Sequence, residues 1–334
     1  MKRLIGKAIL ILALLALVTS FAGAQARYAI VFKNTGNPYG DKQLSGFQTG
    51  IQEQGFTAIL RAPDQPTAEA QIQIIEQLIA QKVSSICIVG NDFKALTPVL
   101  KKATAAGIKI FSLDSSVEPA ARLTHVNQAD SVKIGTTLVE AAFDMTGGSG
   151  EFAILSATSQ ASNQNLWIKY MQDTLKQPKY KDLKLVKIAY GDDIRDKSVA
   201  ETEGLLKSFP NLKCIVAPTT VGIAAAGKVI TDKGLVGKVK VTGLGLPSEM
   251  ATYIENGACP YMFLWNPIDV GYLGAYTATA LVKNSITGKE GDKFSAGRLG
   301  NYTITKAPDG GTEVLLGPPF KFDRSNIKDW KTVY

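Results

Sequence analysis

From residue 27 onward, short apolar runs alternate with longer stretches in which apolar side chains recur every three or four positions. Arg27 to Phe32 is a β-favouring run, followed by a Gly/Pro/Asn loop from Lys33 to Gly40 and a helical pattern from Gln43 to Gln54. The alternation recurs in Thr57 to Leu60 with Thr67 to Gln81, Ser85 to Val89 with Leu96 to Ala106, and Lys109 to Leu113 with Ser131 to Met145. It restarts after Gly147-Gly148-Ser149-Gly150. The pairs there are Glu151 to Leu155 with Asn163 to Leu175, Lys184 to Tyr190 with Ser198 to Phe209, and Cys214 to Ala217 with Gly222 to Lys233, and a further strand runs from Val239 to Gly243. A parallel crossover needs a helix to return the chain, so this rhythm predicts parallel sheets covered on both faces. The expected fold is α/β, with two similar three-layer lobes. After a short helix from Ser248 to Asn256, the run Pro260 to Leu264 and a helix from Val270 to Ser285, the tail reads as a hairpin. Its arms are expected at Tyr302 to Ile304 and Glu313 to Leu316, around Asp309-Gly310-Gly311.

Residues 1–26 follow a different pattern. Lys2, Arg3 and Lys7 precede an apolar run from Ala8 to Val18 and then small residues as far as Ala26, which reads as a cleaved secretory signal peptide. The run is shorter than the roughly 20 residues a membrane-spanning helix needs. No cysteine follows the small residues, so a free periplasmic product is expected rather than a lipid-anchored one. The formal net charge is +8, three units of it from this leader, and no Lys/Arg block could track a phosphate backbone, which argues against nucleic acid. Cys87, Cys214 and Cys259 permit one disulfide at most. Cys87 and Cys214 sit in apolar runs, where a buried thiol is expected. With His125 the single histidine, no metal site is expected.

Ligands of open parallel sheets gather beyond the carboxyl ends of the strands. The residues there are polar: Lys33 and Asn34; Asn91; Asp114 and Ser115; Asn163 and Gln164; Thr219 and Thr220; Trp265 and Asn266. Amides and carboxylates suit vicinal hydroxyls, and an indole suits the C–H face of a sugar ring. Asp114 and Asn163 read equally well as helix caps, and Trp167, at helical spacing from Tyr170 and Met171, reads as packing. Asp192-Asp193, next to Arg195 and Asp196, reads as a solvated loop. Gly147-Gly148-Ser149-Gly150 precedes a strand instead of opening a helix, so it is no dinucleotide fingerprint. There is no phosphate loop and no serine in a nucleophile elbow. No catalytic residue and no cofactor are expected, and any ATP hydrolysis belongs to a partner.

On these residues the mature chain resembles the periplasmic sugar-binding proteins of ABC importers, the type I fold shared by ribose- and autoinducer-2-binding proteins. Leu155-Ser156-Ala157-Thr158 with Asn163-Gln164-Asn165-Leu166-Trp167, Ala217-Pro218-Thr219-Thr220-Val221-Gly222, Leu264-Trp265-Asn266-Pro267 and Leu315-Leu316-Gly317-Pro318-Pro319 are most similar to the rhamnose-binding subunits. Lys33 and Asp114 match the autoinducer-2 pattern. Asn163 stands where that pattern has an aspartate, however, and Thr219 replaces another. Ser115 stands where ribose binders carry an arginine.

The resemblance implies a monomer whose three-strand hinge joins residues 27–126 with 267–299 as one lobe and 127–266 with 300–334 as the other. L-rhamnose is the expected ligand, with autoinducer-2 or another pentose or hexose as the alternative. The implied partners are a membrane permease and an ATPase. A sugar-processing enzyme would need a general acid and base at the cleft, for which only Asp114 with Asp192 or Asp193 is available. A repressor of this fold would begin with a DNA-binding helix pair, where this chain has its leader.

Overall fold

A computed structural model describes residues 26–334; the signal peptide assigned from sequence lies outside the described residues except for Ala26. The first lobe is built on a seven-stranded sheet in the order β13-β14-β5-β4-β3-β1-β2. Its strands are β1 (Arg27–Val31), β2 (Thr57–Arg61), β3 (Ser85–Ile88), β4 (Lys109–Leu113), β5 (His125–Asn127), β13 (Thr305–Lys306) and β14 (Thr312–Leu315). All its ladders are parallel except β13 with β14. Successive side chains of a strand face opposite ways, and the apolar runs of β1, β3 and β4 use both faces. Ala29, Val31, Ile86, Ile88 and Ile110 pack with α2 (Ala68–Ala80) and α3 (Thr97–Ala105). Tyr28, Ile30, Cys87, Phe111 and Leu113 join the other core with α1 (Pro38–Gln52) and α9 (Pro267–Val282).

The second lobe holds the parallel sheet β7-β6-β8-β9, made of β6 (Gly150–Ser156), β7 (Leu183–Tyr190), β8 (Leu212–Ala217) and β9 (Lys240–Gly243). A bridge from Leu244 to Phe263 attaches β10 (Tyr261–Leu264), which pairs antiparallel with β15 (Phe320–Asp323). Around this sheet lie α4 (Ser131–Thr146), α5 (Ser162–Leu175), α6 (Arg195–Ser208), α7 (Thr220–Asp232) and α8 (Pro247–Asn256). The mainly parallel sheets with helices on both sides are the type I architecture expected from the sequence.

The tail departs from its sequence reading. Tyr302 and Thr303 belong to β12 (Asn301–Thr303), which pairs with β11 (Lys293–Ser295), while β14 pairs with β13. The expected return to the second lobe near Gly300 also fails, because β14 extends the first sheet by pairing in parallel with β5. Val314 is fully buried there, and Arg122 clamps the hairpin by donating to Asp309 and, at 2.9 Å, to the Thr312 carbonyl. An open β5 edge would leave a row of backbone groups unpaired, and β14 satisfies them. The last crossing falls instead between Leu315 and Phe320, through Pro318-Pro319.

All three cysteines are free and buried, and burial pushes their thiols up, that of Cys214 to about 12. They are inert as nucleophiles at neutral pH.

Candidate functional site

The carboxyl ends of the two sheets face each other across a small cavity lined by residues of both lobes. The first lobe delivers three groups to it. Lys33 leaves β1 in the Gly/Pro/Asn loop. Asn37 caps α1 by accepting from the Tyr39 N–H at 3.1 Å, and Pro38 fixes the first helical turn, so Tyr39 projects from the helix start. Asp114 directly follows β4 with φ +62°, a left-handed conformation that aspartate tolerates better than most residues, and its N–H is held by the Val126 carbonyl at 3.0 Å. The second lobe contributes Asn163 and Gln164 from the start of α5, Thr219 and Thr220 from the start of α7, and Asp193 from the loop after β7.

These groups bridge the lobes. The Asn163 amide donates to Asp114 Oδ1 at 2.7 Å, and Lys33 Nζ donates to Asn163 Oδ1 at 3.2 Å and to Gln164 Oε1 at 3.4 Å. Tyr39 donates its hydroxyl proton to Asp114 Oδ2, which also accepts from Gln43 at 2.9 Å. Thr219 donates to Asp193. Burial lowers the affinity of Lys33 for its proton, with Asp114 and Asp193 opposing the shift. Burial likewise raises the pKa of Asp114 and Asp193, and Lys33 opposes both shifts. One cation set between two carboxylates offers donors and acceptors in close alternation, as vicinal hydroxyls require.

The opposite wall is apolar. Pro218, Leu244, Leu264 and Trp265 stand at the consecutive ends of β8, β9 and β10, and the buried Trp167 of α5 meets Trp265 edge-on with centroids 5.8 Å apart. Tyr39 lies T-shaped to Trp265, whose Nε1 donates to the tyrosine hydroxyl at 2.6 Å.

Of the residues selected from sequence, Lys33, Asp114, Asn163, Gln164, Thr219, Thr220 and Trp265 line this cavity. Four others do not. Asn91 braces the first loop, donating at 2.8 Å to the Lys33 carbonyl, while its own N–H is held by Gln71 at 2.9 Å. Asn34 turns its amide to the Thr35 carbonyl at 3.0 Å. Ser115 meets Ser162 across the cleft at 3.0 Å, and Asn266 caps α9 by accepting from the Ile268 N–H at 3.0 Å. Tyr39 lies at a helix start and not at a strand end, so strand order alone carries no signal for its place in the cavity. Asp193, read as solvated, is half-buried on the cavity, and Trp167 both packs and lines it.

Residues 28–289 match the periplasmic binding protein domain family. A solute-binding protein of an ABC transporter from Clostridium phytofermentas, solved with bound L-rhamnose, is 48% identical, covers 93% of this chain and 99% of its own, and superposes with a TM-score of 0.92. The D-ribose/D-allose-binding protein of Pseudomonas aeruginosa is 26% identical over 274 residues, spanning 73% of this chain and 81% of the relative. LsrB of Clostridium saccharobutylicum, solved with AI-2, shares the fold at 22% identity and a TM-score of 0.86, covering 91% of this chain and 99% of its own. The family match over most of the chain, together with the cleft just described, leads to one conclusion: this chain belongs to the periplasmic binding protein family and is a sugar-binding protein of an ABC transporter, not an enzyme.

Proposed function

We propose that this protein captures L-rhamnose in the periplasm and delivers it to the permease and ATPase of an importer. The observation that carries the reading is the two-sided cavity, with Lys33, Asp114, Asn163, Gln164 and Asp193 on its polar sides and the wall of Trp167, Leu264 and Trp265 on the other. L-rhamnose is a 6-deoxyhexose, with a run of ring hydroxyls and a methyl group on C5. The polar groups pair with the hydroxyls, and the methyl lies against the indole wall. The relative at 48% identity, holding L-rhamnose, supports the same choice.

Mechanism follows from the cleft. The lobes turn about the three connections near residues 127–130, 265–266 and 316–319. A sugar that touches both faces stabilises only the closed form, which the permease then selects. Closure expels water, and each hydroxyl contact strengthens in the lower local dielectric. The protein works as a monomer, addressed to the periplasm by its cleaved leader.

The test is a thermal-shift screen of protein unfolded and refolded to remove carried ligand, against L-rhamnose, AI-2, D-ribose and other neutral sugars. A ligand at 100 times its Kd adds about 2.7 kcal/mol of stability. A shift of that size with L-rhamnose supports the reading. A shift with AI-2 or D-ribose alone would keep the transport role and overturn the sugar.

A further inference from the structure

The two indoles of the apolar wall are not equivalent. Trp265 Nε1 donates to the Tyr39 hydroxyl at 2.6 Å, so this ring has no N–H left for a ligand. The Tyr39 oxygen is itself saturated: it accepts from Trp265 and from Gln43 Nε2 at 3.0 Å, and it donates to Asp114. Leu244, Leu264 and Pro218, beside Trp265, offer only carbon. Among the described residues the Trp167 N–H has no hydrogen-bond partner, although Trp167 is buried and lines the same cavity. Trp265 therefore has its donor withdrawn by Tyr39, whereas that of Trp167 is unpaired.

We propose that Tyr39 is a specificity-determining residue: by occupying the indole N–H of Trp265 it leaves the part of the wall formed by Trp265, Pro218, Leu244 and Leu264 without a side-chain donor, so a sugar whose C5 substituent packs there is accepted with a methyl and rejected with a hydroxymethyl. The inference rests on the L-rhamnose reading and names the chemical feature that reading leaves open. A 6-hydroxyl pressed against Trp265, Leu264, Leu244 and Pro218 loses its water and meets no free side-chain donor there. An apolar pocket rejects an added hydroxyl by about 100-fold. L-mannose, which is L-rhamnose with that one hydroxyl restored, is the matching probe.

Tyr39→Phe keeps the ring against Trp265 and releases the indole N–H to a 6-hydroxyl. It also removes one donor from Asp114, but the two sugars share their remaining hydroxyls, so that loss cancels in the ratio of their affinities. Titration calorimetry of ligand-stripped wild type is expected to favour L-rhamnose over L-mannose by about 100-fold, and of Tyr39→Phe by about tenfold or less. An unchanged ratio in a Tyr39→Phe protein that still melts cooperatively would overturn the proposal. Should that variant not fold, Trp265→Phe decides, because it keeps an aromatic wall without an N–H. A preserved preference supports the proposal, and a lost one shows that the indole N–H reads the sugar directly and sinks it. Wild type that binds neither sugar would overturn the L-rhamnose reading and this inference with it, whereas rhamnose binding with an unaltered ratio removes only the inference.

Discussion

Asp114 combines a left-handed backbone with a buried carboxylate. Asparagine also tolerates that conformation, so Asp114→Asn removes the charge without straining β4. Its burial cost disappears with the charge and offsets the weaker bonds to Tyr39 and Gln43. The ligand-free melting temperature should therefore stay within the equivalent of about 1 kcal/mol, while affinity for L-rhamnose drops about 100-fold, as loss of charge-assisted hydrogen bonds dictates. Equal damage to both would make the residue structural. His125 gives a second test. Its Nδ1 lies 2.9 Å from Ser112 Oγ, and burial, helped by Arg122, holds its pKa well below the ordinary 6.5. Below pH 6.5 the unfolded chain takes up a proton that the folded ring refuses. Stability falls with decreasing pH until the ring's own depressed pKa is reached, by at most about 1.4 kcal/mol per unit. His125→Asn should therefore lose less stability than wild type between pH 7.5 and 5.5 in thermal melts; parallel losses would contradict this. At this scale the sequence exposed the polar side chains at strand ends, since topology alone places them at the cleft. It could not separate Lys33 or Asp114, which line the cavity, from Asn91, Asn34, Ser115 and Asn266, which brace backbone, because that choice depends on side-chain direction.

Helices α1 and α9 show how packing between elements holds the site. A Cβ added at Gly46 would lie 2.0 Å from the Ile268 carbonyl oxygen, and one at Gly271 would lie 2.0 Å from that of Gln43. The two backbones touch where only hydrogen fits. Helix α1 carries Tyr39, and α9 follows directly on Trp265, so the same contact sets the distance between the two partners of the 2.6 Å hydrogen bond. Gly271→Ala should cost about 3 kcal/mol in denaturant unfolding and weaken L-rhamnose binding as well; a cost below about 1 kcal/mol would show that the helices separate freely. Strand and helix order was legible because the apolar period switches from two to three or four at each boundary. The tail was not. The strands from Asn301 to Leu315 are short and mostly exposed, and their place is fixed by the β5 edge and by Arg122, both distant in sequence. The ladder between Glu313 and His125 has no local signature.

At the scale of the whole molecule, contacts across the cleft come from both sheets. Lys33 and Asp114 meet Asn163 and Gln164, and Ser162 reaches the Ser116 carbonyl at 2.8 Å. A ligand that replaces water between these groups links the two lobes, so small-angle scattering of the stripped protein should show a smaller radius of gyration once L-rhamnose is added. An unchanged radius would place binding on one lobe alone. Titration calorimetry of L-rhamnose into unfolded-and-refolded mature protein asks the central question most directly. One sugar per chain, bound more tightly than D-ribose and AI-2, is the expected isotherm. Absence of saturable heat with L-rhamnose, alongside a clear isotherm for another sugar, would contradict it.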